Sequence, residues 1–149
     1  ALAFGTNEGF KDSLDPAEYA AVYAEIAGRV TPPGGSLMII GPADGNRRAG
    51  SGAGSAVCGA DGAWVVPPML GVVRGIETRL AAQHGWFFWD WEKAMGGQCT
   101  MAAWASAMPP LAFADHVHLR DEGYRQTASR LYDAIMQAWA KFALLPVRP

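Results

Sequence analysis

Apolar residues along this chain fall into two patterns. Short unbroken runs occur at Ala1-Leu2-Ala3-Phe4, Leu37-Met38-Ile39-Ile40 and Trp86-Phe87-Phe88-Trp89, the first two closed by Gly5 and Gly41. Runs of this length without polar alternation predict strands buried on both faces. Between them, apolar positions recur at helical spacing. Asp15-Pro16 predicts a helix start, because the Asp side chain can cap free N–H groups and proline suits the first helical position. Tyr19, Val22, Tyr23, Ile26 and Val30 then form a stripe, and Pro32-Pro33-Gly34-Gly35 stops it. A second helix is predicted from about Pro68, with Met69, Val72, Val73, Ile76 and Leu80 on one face and His84-Gly85 at its end. The last begins near Glu122 and carries Tyr124, Ala128, Leu131, Ile135 and Trp139. Residues 42–66, rich in Gly, Ala and Ser, read as one long loop.

Strand and helix in alternation, with unbroken apolar strands, imply the α/β class and a parallel sheet covered on both faces. A sheet of three such strands leaves its first strand with an unpaired apolar edge. The expectation is that another strand pairs there, from upstream sequence or from a second copy.

Composition narrows the picture. Half of the 149 residues are apolar, enough for one core and one domain. Charged residues make up 17% and the net charge is −2, which gives no basic face for nucleic acid. The apolar runs fall far short of the roughly 20 residues that span a membrane. Cys58 and Cys99 do not make a metal framework; they form either one disulfide or two buried thiols, and the sequence leaves both open.

Ligands of parallel sheets bind at the carboxyl ends of the strands. Gly5-Thr6-Asn7-Glu8 follows the first strand: Gly5 allows a sharp turn, and the Asn7 amide can donate to a developing oxyanion. Read plainly, Asn7 only turns the chain. Asp115 and His118, three apart ahead of the last helix, can pair so that the carboxylate fixes the imidazole tautomer for general base work. Alone, that spacing equally describes a local turn with a surface histidine. The glycines between Gly41 and Gly59 lack the Lys-Ser/Thr ending of a phosphate loop, and His84, His116 and His118 lack partners for a metal.

Order and separation add more. G-T-N-E after a strand, I-I-G-P closing the next, and D-H-V-H-L-R-D-E-G-Y entering the final helix resemble the third block, the following strand and the fifth block of the SGNH (GDSL-like) hydrolases. The resemblance implies a flavodoxin-like, three-layer α/β/α parallel sheet, incomplete on its N-terminal side. Residues 1–149 would be the C-terminal portion of one such domain. It implies an acyl esterase with His118 as general base, Asp115 as its orienting partner, Asn7 in the oxyanion hole and no cofactor. The W-D-W…A-M-G-G segment is similar to members that deacetylate carbohydrates, including peptidoglycan O-acetylesterases. Gly5, Trp91, Gly96, Gly97 and Trp104 would then line the substrate site, although core packing and a glycine turn explain the same residues. An acetylated carbohydrate or other small acyl ester is the implied substrate, and a periplasmic or secreted location follows from the resemblance and the cysteines.

Two departures stand out. Glu8 occupies a position that is often Asp in the family, outside the triad. More seriously, the nucleophile block and the second-block glycine are missing, and none of the six serines has the matching context. Gly50-Ser51-Gly52 and Gly54-Ser55 do not lie between a strand and a helix, as a nucleophile elbow requires. The expectation is therefore a nucleophilic serine outside this chain, and a chain inactive by itself. A non-catalytic carbohydrate- or partner-binding fragment is the alternative.

Overall fold

The computed structural model describes residues 1–52 and 54–144. In chain order its first elements are α1 (Thr6–Gly9), α2 (Pro16–Val30), β1 (Met38–Ile40), β2 (Arg47–Arg48), β3 (Val57–Cys58) and β4 (Trp64–Val65). After these come α3 (Pro68–His84), β5 (Phe87–Trp89), α4 (Trp91–Met95), α5 (Thr100–Ala105) and α6 (Asp121–Ala143). The fold is mixed α/β with a parallel sheet, as the alternation predicted.

β1 and β5 pair in parallel, with Ile39 opposite Phe88. The first apolar run contributes less than a full strand. Leu2 alone bridges to Ile39, donating to the Met38 carbonyl and accepting from the Ile40 N–H, both at 2.8 Å. Gly5 then turns the backbone at φ 104° into α1, so the extended segment ends early.

Helices α2 and α3 pack on the sheet face that carries Leu2, Ile39 and Phe88. The core there joins Tyr23 and Ala27 of α2 to Ile76, Leu80 and Ala81 of α3. Asp15 caps α2 as expected, its Oδ1 accepting from Ala17 N–H at 2.8 Å and Glu18 N–H at 3.1 Å. Only part of the α2 stripe is covered, for Val22, Ile26 and Val30 are exposed.

Residues 42–66 are not one loop. They hold a small antiparallel sheet in the order β2-β4-β3, with Trp64 opposite both Arg48 and Cys58. Strands of two residues leave no readable alternation, which is why the apolar pattern misses them. A disulfide between Cys58 and Cys99 ties this sheet to the N-cap of α5 and settles the open question about the cysteines. Cys58, Val66, Leu70 and Ala102 form a second core beneath it. A third joins Met95, Met101, Ala112 and Leu119.

The final helix begins where its pattern predicts. Its start packs closely, since a Cβ on Gly123 would lie 2.2 Å from the Leu111 carbonyl oxygen. Farther along, Ile135, Trp139 and Phe142 line a shallow depression with Ser36 and Phe87, yet all three remain exposed, as does Tyr124. The predicted stripe exists, but the described residues cover little of it.

Candidate active site

The segment from Ala112 to Leu119 is a closed loop. Its ends meet in an antiparallel bridge, and Phe113 N–H donates to the His118 carbonyl at 2.8 Å. Inside it the chain reverses at His116, whose φ of 58° is rare for a residue with a side chain. That reversal aims two amides at one carboxylate. Asp115 Oδ1 accepts from the N–H of Val117 at 2.9 Å and of His118 at 3.0 Å, and Oδ2 lies 2.8 Å from His118 Nδ1. Partial burial pushes the Asp115 carboxyl up, but the His118 N–H, its ring and the Val117 N–H together outweigh this and hold it at about 2. An ionised carboxylate at Nδ1 accepts a hydrogen bond from Nδ1–H and so keeps the proton on that nitrogen, leaving Nε2 with its lone pair. Both side chains are open to solvent, His118 being 68% exposed. The pair is therefore accessible and has the tautomer of a general base.

Asn7 sits exposed in α1, a single turn held against α3 by two glycines. A Cβ on Gly5 would come within 2.6 Å of Val73 Cγ1 and 2.7 Å of Glu77 Oε1, and one on Gly9 within 2.4 Å of Leu70 Cδ2. Gly5 thus serves as the seat of this turn. The turn and the Asp115 loop approach each other at Gly45. A Cβ there would lie 2.9 Å from the Phe10 ring, at the end of α1, and 3.7 Å from the His116 carbonyl oxygen. Arg47 of β2 reinforces the junction, donating to the Phe10 carbonyl at 3.1 Å and pairing with Asp12.

The remaining sequence-predicted residues sit differently. Trp91 and Trp104 are half-buried against the third core, in accord with the packing reading, and the Arg130 guanidinium lies 6.0 Å from the Trp104 ring centre. Gly96 and Gly97 close α4 in a turn with φ of 134° and 96°, and both N–H groups donate to the Glu92 carbonyl. Ser51 and Ser55 belong to the small-sheet region, their hydroxyls donating to the carbonyls of Arg48 and Val66.

Several buried polar groups escaped the sequence reading. Asp44, 1% exposed, accepts from Met101 N–H at 2.7 Å near the start of α5, and burial raises its carboxyl despite N–H donors from Met101, Cys99 and Gly45. Asn46 N–H donates to the His116 carbonyl at 2.9 Å. Arg74 pairs with Glu92 under α4. Glu77 is fully buried beneath Gly5, with the Tyr19 hydroxyl donating to it at 2.8 Å. Burial pushes the Glu77 carboxyl up to about 7, against the Tyr19 hydrogen bond and the charge of Arg74. Glu77 alone left a signal, as a carboxylate four residues from Val73 on an apolar helical face.

No protein-family profile matches the chain, and no curated protein matches it. Among solved structures, a peptidoglycan O-acetylesterase described as captured in action is similar, with a TM-score of 0.71 and 30% sequence identity. The likeness covers 92% of this chain. The chain has an esterase-like fold. It spans 36% of the length of that esterase. The esterase-like fold accounts for the parallel sheet and its helices.

Proposed function

We propose that this chain is the C-terminal part of an SGNH-type serine esterase that removes acyl groups, most simply O-acetyl groups on a carbohydrate such as peptidoglycan. The observation that carries this reading is the Asp115–His118 pair, ionised on the carboxylate side and open on the Nε2 side. The flavodoxin-like three-layer arrangement of the resemblance would be completed by sequence outside these 149 residues. That sequence would also supply the nucleophilic serine.

In the proposed reaction His118 Nε2 takes the serine hydroxyl proton as its oxygen attacks the ester carbonyl. Asp115 stabilises the imidazolium that results. The Asn7 amide donates to the oxyanion, an interaction worth roughly 10²–10³-fold in rate. The imidazolium returns its proton to the departing sugar oxygen, and water then releases the acid by the same route. Gly5, Gly96, Gly97, Trp91 and Trp104 belong to this proposal as substrate-side residues. A location in the cell envelope or outside the cell follows from a peptidoglycan substrate.

The test uses the longer protein that contains this chain. Wild type should be labelled by a fluorophosphonate probe on a serine outside these residues. His118→Ala should lower acetyl-ester turnover by roughly 10²–10⁴-fold while the thermal melt is unchanged. Full activity in that variant would remove the proposal, and so would a label on a serine within this chain.

A further inference from the structure

The geometry points to Trp64 and His116 as positioning residues: the small sheet sets the Asp115–His118 pair through the stack of their two rings. This rests on the reading of that pair as the general base and its partner.

His116 stands between Asp115 and the two amides that converge on it. Its backbone lies in the left-handed region, at φ 58°. Histidine enters that region more readily than most residues, but something must hold it there. The ring supplies that hold. It is 7% exposed and stacks flat on Trp64, with ring centres 3.5 Å apart and planes 11° from parallel. Two backbone hydrogen bonds complete it, one from Asn46 N–H to the His116 carbonyl at 2.9 Å and one from His116 N–H to the Phe113 carbonyl at 3.1 Å. Burial lowers the imidazole below its usual range and favours the neutral ring, to which Arg48 adds against the opposing charge of Asp115.

Trp64 is itself fixed. It occupies the central strand of the small sheet, opposite Arg48 on one side and Cys58 on the other. The Arg48 guanidinium lies 4.9 Å from its ring centre, and the Cys58–Cys99 disulfide anchors the neighbouring strand. Force is thus transmitted from sheet to ring, from ring to backbone angle, and from that angle to the N–H groups of Val117 and His118. If residue 116 were extended, those two amides would no longer converge on one carboxylate oxygen, and Oδ2 would lose its fixed approach to Nδ1.

Three variants of the 149-residue chain test this. Trp64→Ala removes the platform and Trp64→Phe restores a flat ring. His116→Gly keeps the backbone angle accessible and removes only the imidazole. Carbon-13 NMR follows the Asp115 carboxyl, and nitrogen-15 shifts report the His118 tautomer; core methyl signals of Ile39 and Leu80 verify the fold. In the wild type the three donors to Asp115 should hold its midpoint down, at about 2. In Trp64→Ala and His116→Gly it should climb toward the ordinary aspartate value of about 3.9, with loss of the single Nδ1–H tautomer. Trp64→Phe should return it most of the way. A midpoint that stays at about 2 in folded His116→Gly overturns the inference, and this variant decides should Trp64→Ala not fold. In the longer protein the same changes should lower kcat by about 10²-fold with KM held. A shifted midpoint with unchanged turnover would support the positioning and sink the esterase reading instead.

Discussion

Glu77 is fully buried, and among the described residues the side chain that hydrogen-bonds it is a phenol. Tyr19 donates to Oε1 at 2.8 Å, Oε2 has no partner among the described residues, and burial drives both Tyr19 and Tyr23 away from ionisation. The carboxyl rises from the ordinary 4.5 to about 7, so the folded state favours the protonated acid. The stabilisation is therefore complete below about 4.5 and is lost as pH climbs through about 7. Thermal melts of the wild type should fall across that window. Glu77→Gln, which cannot ionise, should flatten the profile and melt several degrees higher at pH 8, for a difference of roughly 1–3 kcal/mol. An equally steep profile in the variant would refute this assignment. Asp115 behaves in the opposite way: with its carboxyl held down to about 2, the charged acceptor it offers Val117 N–H, His118 N–H and the His118 ring is lost only in strong acid.

Single elements carry the next level of the argument, and α1 is the clearest. A four-residue helix has no stability of its own; α1 exists because Gly5 and Gly9 let its backbone lie directly on Leu70, Val73 and Glu77 of α3. Gly9→Ala would place a methyl carbon 2.4 Å from Leu70 Cδ2 and 3.0 Å from its Cα, where a fully buried residue has no room to withdraw. The expected cost is roughly 1–3 kcal/mol, measurable by urea denaturation, with Asn7 displaced as well. Unchanged stability would show that α3 yields. Such contacts explain what could be read in advance. The long helices and β1 and β5 announced themselves because their apolar periods run for several residues, whereas Asp115 and His118 stood out only through the order of motifs around them, their three-residue spacing alone being equally that of a local turn. Trp64, Asn46 and His116 did not, since they matter through contacts across dozens of residues, and Asn46 and Trp64 lie in a glycine-rich stretch that carries no period. The apolar run at Ala1–Phe4 was over-read: hydrophobicity placed it in the sheet, while Gly5 left only Leu2 paired.

At the scale of the whole molecule, apolar surface remains in view on two elements. Phe4, Val22, Ile26 and Val30 are exposed beside α2, and Tyr132, Ile135, Met136, Trp139 and Phe142 along α6. Surfaces of this kind drive association in water. Light scattering should show the 149-residue chain forming dimers or larger species at tens of micromolar, on the order typical of weak apolar contacts. Trp139→Lys with Phe142→Lys should shift it toward monomer; a wild type that is monomeric at that concentration would contradict the prediction. The disulfide has a different reach. The core of Leu2, Tyr23, Ile39, Ile76 and Leu80 contains no cysteine, whereas Cys58 and Cys99 both lie in the part that supports the Asp115 loop. Protein made in a reducing host would therefore keep its long helices and its circular dichroism while losing the alignment of Asp115 with His118. A preparation could pass every routine check of foldedness and still carry that pair out of line for want of an oxidant.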